Sequence, residues 1–311
     1  MKIAIDSEME AGTTPESSYP AKLRSWPGWI LLVVLPAVAI LFRSRVVAWV
    51  FMWTLAIAIF FGCKWQSWWD ARSAMGNASF GRTLGYLFAW PGMDAESFLD
   101  PRRRAQRPKV SAWISASMKT VAGGVVLWGV ARRVPEGHEL LAGWVGMLGV
   151  ILVLHFGTFH LLALAWQSAG IDARPIMRSP LSATSLSDFW GRRWNLGFRQ
   201  LTHRLIFEPA RTRAGVVAAI LLSFFASGLI HDLVISFPAG GGYGSPTGYF
   251  VLQGLGVLFE RSALGKRVGF GSGVRGWLFV AIFAGAPAFL LFHPPFVRGV
   301  ILPFLEAIGA R

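Results

Sequence analysis

Two groups of residues have the types and spacing to do chemistry. In the run FFASGLIHDLV, His231 and Asp232 stand about 17 residues beyond Ala214, where a long apolar stretch begins. Ionisable groups at such depth are costly, and where they occur they face a bundle interior or a water-filled cavity. Imidazole titrates near neutrality, so His231 suits general-base work, and the pair would equally suit a proton relay. A purely structural alternative is a histidine that ties two helices by a hydrogen bond. Ser227 and Gly228 just ahead would let another backbone or a substrate approach closely.

The second group lies in SLSDFWGRRWNLGFRQLTHRL, which opens with Ser185 three residues before Asp188, a helix-start pattern. Read as one helix, it puts Asp188, Arg192, Asn195, Arg199 and His203 on a single polar stripe at spacings of 4, 3, 4 and 4, with Phe189, Trp190, Arg193, Trp194 and Gly197 on another face. An amphipathic helix lying at a membrane interface would show the same tryptophans and arginines. Asn195 argues for more. A surface helix has no need of an amide between two arginines, whereas a site for polar or thioester groups would use one.

Other motifs are weaker. His155 and His160 are five residues apart, do not share a helix face, and fit polar packing better than metal binding. His293, ahead of Pro294 and Pro295, reads as a turn residue. No Gly-rich phosphate fingerprint and no G-x-S-x-G elbow occurs. Cys63 is the single cysteine, which leaves no intramolecular disulfide and no cysteine-based zinc site.

The elements that must position these groups are membrane helices. Of 311 residues, 54% are hydrophobic and 15% charged, against about 25% charged in ordinary soluble domains. The mean hydropathy is +0.49. Block-like runs such as VVAWVFMWTLAIAIFF exclude the alternating pattern of a barrel and predict an all-α, polytopic bundle of seven or eight spans with short re-entrant or interfacial helices. The expected spans are 29–42, 46–63, 111–131, 140–167, 214–237, 249–260, 277–292 and 296–308. The segment GYLFAWPGMDAESFL, Gly85 to Leu99, is too short to span and is broken at Pro91-Gly92. The first 26 residues form a polar tail, and residues 27–311 a single membrane-embedded domain.

A net charge of +14 would raise nucleic-acid binding in a soluble protein. Here the basic residues collect in connections between apolar runs, as cytoplasmic loops do, and no nucleic-acid partner is expected. The stretch from Ser168 to Arg213 carries eight arginines, Arg174, Arg178, Arg192, Arg193, Arg199, Arg204, Arg211 and Arg213, against Asp172, Asp188 and Glu208. The stretch from Lys64 to Ser111 is also basic, and two spans separate it from the later one. Both therefore fall on one side, expected to be cytoplasmic, together with the N-terminus.

The motifs GYLFAWPGMD (Gly85 to Asp94), SLSDFWGRRWN (Ser185 to Asn195) and SGLIHD (Ser227 to Asp232) together resemble the wax synthase-like branch of the membrane-bound O-acyltransferase superfamily. The resemblance covers about residues 80–260, with FW-x-RRWN its most specific part. It implies that His231 is the intramembrane catalytic histidine and Asn195 its polar partner. It implies an acyl-CoA co-substrate, no resident cofactor, and a lipophilic alcohol as acceptor within the lipid bilayer. Members of the branch often have Glu after the histidine, where this chain has Asp232.

On that reading His231 removes the acceptor proton, while the Asn195 amide either steadies the thioester carbonyl or holds the acceptor hydroxyl. Arg192, Arg193 and Arg199 are candidates for the phosphates of the donor. Trp190, Trp194 and Asp232 complete the supporting set. The rival reading is a polytopic transporter or lipid-handling protein in which His231 and Asp232 relay protons. Reporter fusions placed after Ser111 and after Arg213 are expected to report the same cytoplasmic compartment. A reporter after Arg213 that reads out on the opposite face would overturn both the topology and access of a soluble donor to the Arg192 region.

Overall fold

The computed structural model describes residues 26–72 and 78–311. The polar tail expected over the first 26 residues falls, but for Trp26, outside the described residues. Among the described residues all regular structure is helical: α1 (Pro27–Leu41), α2 (Ala48–Ala71), α3 (Phe80–Ala89), α4 (Ala95–Leu99), α5 (Val110–Arg133), α6 (Glu139–Ser168), α7 (residues 186–193), α8 (Leu196–Ala239), α9 (Ser245–Arg261), α10 (Ala263–Val268), α11 (Gly273–Leu291) and α12 (residues 294–307).

Five of these, α2, α5, α6, α8 and α11, are long and apolar enough to cross a membrane, and they mark an integral membrane protein. The expected seven or eight spans are not reached by that measure. The first apolar run forms a helix of only 15 residues. The run ending at Glu260 forms the 17-residue α9, which rises about 26 Å at ~1.5 Å per residue, short of the ~30 Å hydrocarbon core. The last run forms the helix over residues 294–307, which is also too short to cross.

Helices pair where glycine removes a side chain. α1 and α2 form the expected hairpin, and a Cβ on Gly62 would lie 2.5 Å from the Leu32 Cα. Such close approach of small residues is how helices associate when no hydrophobic effect drives them together. The interior divides into four apolar clusters. The one that matters for the site contains Phe51, Leu55 and Ile59 of α2 together with Met93, Leu201, and the partly buried Phe198, Leu205, Leu233 and Phe237. Both ends of α8 therefore pack into the same cluster as α2.

That is possible because α8 is not straight. Gly215, with φ 83° and ψ 173°, takes a conformation outside the helical region and divides its 44 residues into two legs. The first leg begins next to Asn195, and the second carries His231.

The broken segment after Gly85 is a helix, an extended turn and a one-turn helix. It is held from below by α2: the fully buried Lys64 donates from Nζ to the Gly92 carbonyl oxygen at 2.7 Å and lies 3.2 Å from the Tyr86 ring centroid. Tyr86 in turn shares a 2.7 Å hydrogen bond with Ser67.

Candidate active site

The arginine–tryptophan motif starts as expected, with the Ser185 hydroxyl accepting from the Asp188 amide at 2.9 Å. Its continuation differs. Residues Phe189–Arg193 form a π-helical turn, Trp194 is extended at φ −99° and ψ 127°, and Asn195 adopts φ 42° and ψ 58°. The single polar stripe from Asp188 to His203 is thus split between Arg192 and Asn195.

The cause is non-local. The loop at 176–178 takes the hydrogen bonds that a continuing helix would make: the Arg178 amide donates to the Arg193 carbonyl at 2.8 Å, and the Leu196 amide to the Ile176 carbonyl at 2.9 Å. The Asn195 amide reaches the Met177 sulfur at 3.3 Å. Asparagine is among the few residues that enter the left-handed region readily, so part of the reason for this residue type is the bend itself.

His231 sits near the end of the second leg of α8. Its Nδ1 lies 2.7 Å from the Ser227 carbonyl oxygen. A carbonyl only accepts, so Nδ1 carries the proton and Nε2 keeps its lone pair. The imidazole packs against Phe250 of α9, centroid to centroid 4.4 Å, and Phe250 packs against Trp190 of the motif at 5.7 Å. The structure therefore joins His231 to the arginine–tryptophan motif through an aromatic residue that sequence reasoning passed over.

Trp194 belongs to the far side of the same aromatic group, stacked on Phe189 at 5.5 Å and edge-on to Phe156 at 6.3 Å.

Asp232 does something else. Its carboxylate accepts from the Gly244 and Thr247 amides at 2.8 and 3.0 Å, from the Thr247 hydroxyl, and from the Ser236 hydroxyl at 2.9 Å. It is an anionic cap on the N-terminus of α9, where unpaired amides and the helix dipole favour negative charge. Gly228 serves the same junction, since a Cβ there would lie 2.6 Å from the Thr247 Cα; the close approach is by backbone.

His293, buried beside this junction, accepts from the Phe296 amide on Nδ1 at 3.2 Å, so it holds its proton on Nε2, 3.0 Å from the Ser236 oxygen. The two histidines are thus held in opposite tautomers. His293 is more than a turn residue, because it completes the Asp232–Ser236 network.

Glu260, at the other end of α9, was also passed over. Buried at 5% exposure, it accepts from the Leu186 amide and from the Ser187 hydroxyl at 2.8 Å, capping α7. An acid two turns after Gln253 on an apolar helix was the signal that could have flagged it.

The arginines separate by role. Arg193 is engaged by Asp188, by the Ser179 carbonyl at 3.1 Å and by the Ser182 hydroxyl at 2.6 Å. Arg192 pairs with Asp188 at 3.0 Å but leaves its side chain 65% exposed. Both line an open polar cleft of about 570 Å³ with Arg178, Thr184, Ser185, Asp188 and Gly271. Arg199 lies beyond the bend and does not line this cleft; nor does His231. Among the described residues no group of three or more His, Cys, Asp or Glu is placed to hold a metal ion.

Residues 173–252 match the family model described as membrane bound O-acyl transferase family, a segment that contains Asn195, Trp190 and His231. The chain is 32% identical to a long-chain-alcohol O-fatty-acyltransferase of Simmondsia chinensis, over 43% of this chain and 47% of that protein. It is 30% identical to a probable long-chain-alcohol O-fatty-acyltransferase of Arabidopsis thaliana, over 64% and 62%. An acyl-CoA–sterol O-acyltransferase of the same plant is 32% identical over 22% of this chain and 21% of that protein. The chain therefore spans about half to three-fifths of the length of the first two relatives. These matches agree with the resemblance read from the motifs: over these segments the chain is similar to long-chain-alcohol O-fatty-acyltransferases and to the membrane bound O-acyl transferase family.

The capping role of Asp232 has a direct test. Asp232→Ala is expected to lower the unfolding free energy of the detergent-solubilised protein by about 2 kcal/mol or more, since several charge-assisted hydrogen bonds and a helix cap are lost together. Thermal unfolding at the wild-type temperature would rule the cap out as a structural element.

Proposed function

We propose that this relative of the wax synthase-like acyltransferases transfers an acyl group from an acyl-CoA thioester to the hydroxyl of a lipophilic alcohol, within one membrane-embedded unit over residues 27–311. The observation that carries the reading is the 2.7 Å contact between His231 Nδ1 and the Ser227 carbonyl oxygen. An imidazole whose Nδ1–H is tied to a backbone carbonyl presents a basic Nε2, and it does so beside aromatic residues of the segment that matches the family.

An alcohol at neutral pH is a poor nucleophile, and a positioned base supplies the missing driving force. Nε2 takes the hydroxyl proton as the alcohol oxygen attacks the thioester carbonyl carbon. The tetrahedral oxyanion collapses, the carbon–sulfur bond breaks, and the imidazolium returns its proton to the departing thiolate. The products are an ester and a free thiol, and no acyl-enzyme is needed. The Asn195 amide is our candidate donor to the oxyanion. The exposed Arg192 on the polar cleft is our candidate contact for donor phosphates, on the side we assign to the cytoplasm. Arg193 is better explained as an internal brace of the same motif. The names of the relatives support a long-chain alcohol as acceptor, with a sterol the second choice.

The proton-relay alternative loses its second member, because the Asp232 carboxylate is occupied by α9 rather than turned to His231.

His231→Ala is expected to reduce ester formation by about 10²- to 10⁴-fold, the usual cost of losing a general base, in a protein that still folds in membranes. Asn195 needs a variant that tolerates its left-handed backbone. Asn195→Gly keeps the bend and removes the amide, and turnover should fall on the order of 10²- to 10³-fold, as when one oxyanion donor is lost. Full turnover in Asn195→Gly would reduce Asn195 to a bend residue, and full turnover in purified His231→Ala would end the proposed mechanism.

Arg192→Ala should raise the KM for acyl-CoA while leaving that for the alcohol unchanged, since only the donor is polyanionic. Steady-state kinetics with each substrate varied in turn checks this; an unchanged donor KM would remove the cleft from the donor site.

A further inference from the structure

α11 carries Pro287, which has no amide hydrogen. The carbonyl of Phe283, four residues earlier, therefore loses its helical partner. α9 fills the gap with two side chains one turn apart: the Gln253 amide nitrogen donates to the Phe283 carbonyl oxygen at 2.9 Å, and the Tyr249 hydroxyl donates to the Ala284 carbonyl oxygen at 3.0 Å. Gln253 is fully buried. Its other end faces the opposite way, and the amide oxygen accepts from the Trp190 indole N–H at 3.3 Å.

A glutamine is suited to this place because one planar group offers both a donor and an acceptor. The donor end is fixed by a backbone carbonyl, so the acceptor end is fixed too, and with it the plane of Trp190. That indole packs on Phe250 at 5.7 Å and on Phe224 at 5.9 Å, and Phe250 packs on the His231 ring. The path from a proline-made vacancy in α11 to the imidazole runs through one amide and two aromatic rings.

We propose that Gln253 is a positioning residue for the reaction at His231, acting by orienting Trp190; the proposal rests on the acyl-transfer reading given above. The side chain touches neither reacting group. Its effect is on the wall that holds His231 and the acyl group in register, where small displacements cost rate and not binding.

The test is a double-mutant cycle of Gln253→Leu with Trp190→Phe. Gln253→Leu is expected to lower kcat about tenfold or more with both KM values unchanged, a loss typical of misplaced catalytic geometry. Trp190→Phe keeps an aromatic ring, removes the indole donor, and should lower kcat similarly. In the Trp190→Phe background, Gln253→Leu should change kcat less than twofold, while its cost to thermal stability from the vacant Phe283 carbonyl persists. Equal kcat losses in both backgrounds would show that Gln253 acts on the fold alone and would overturn the proposal. So would full kcat in Trp190→Phe, which decides the matter even if Gln253→Leu fails to fold.

A readout independent of turnover is the rate at which diethyl pyrocarbonate modifies His231, followed by peptide mass spectrometry. It should rise several-fold in Gln253→Leu and no further in the double variant; an unchanged rate would also overturn the proposal. If the wild-type protein formed no ester with any acyl-CoA and alcohol, acyl transfer would fail, while the labelling rates would still decide whether Gln253 sets the surroundings of His231.

Discussion

A helix that bends within an apolar bundle strands carbonyl and amide groups, and each one left unpaired there costs on the order of 1–3 kcal/mol. At four helix bends and ends of this chain another part of the fold supplies the missing partner. The loop at 176–178 meets the backbone where α7 gives way to α8. Asp232 meets the amides that open α9. Glu260 meets those that open α7. Gln253 and Tyr249 meet the carbonyls stranded by Pro287. Three of these groups belong to one 17-residue helix, and a fourth holds its first turn. α9 is therefore the strut on which the two chemistry-bearing motifs are aligned.

Local signals were legible in the sequence and long-range ones were not. Ser185 announced a helix start because its capping bond closes within three residues. His231 announced itself because a titratable group inside an apolar run has few uses. The expected continuous stripe through Asn195 failed for the opposite reason: the partners that pull the chain out of the helix, Ile176 and Arg178, lie in a separate loop, and periodicity carries no record of them. Asp232 was open to several readings for the same reason. Its role depends on Gly244 and Thr247, which lie across a turn that no spacing rule anticipates. Gly215 divides α8 into two legs. It lets both legs of α8 pack into the α2 cluster.

The opposite tautomers of His231 and His293 illustrate how one side-chain type is given two characters by backbone alone. One ring donates to a helix carbonyl from Nδ1 and keeps a basic nitrogen for chemistry. The other accepts a backbone amide on Nδ1 and spends its proton on Ser236, inside a network with no group left to react. A carboxylate and an imidazole near the proposed general base are thereby bound into scaffolding, while His231 keeps Nε2 free of that network.

Lys64 carries a consequence for the birth of the protein. Its amine is fully enclosed, yet the Gly92 carbonyl that receives it lies 28 residues further along the chain, and the Tyr86 ring it faces is also later in the chain. While the ribosome has delivered α2 but not that segment, this polar amine lacks the Gly92 and Tyr86 partners and is better satisfied among lipid headgroups or water. The insertion of α2 to its final depth is thus coupled to the arrival of the α3–α4 segment. The first helical hairpin would be completed in the membrane only when the chain that caps it has been made.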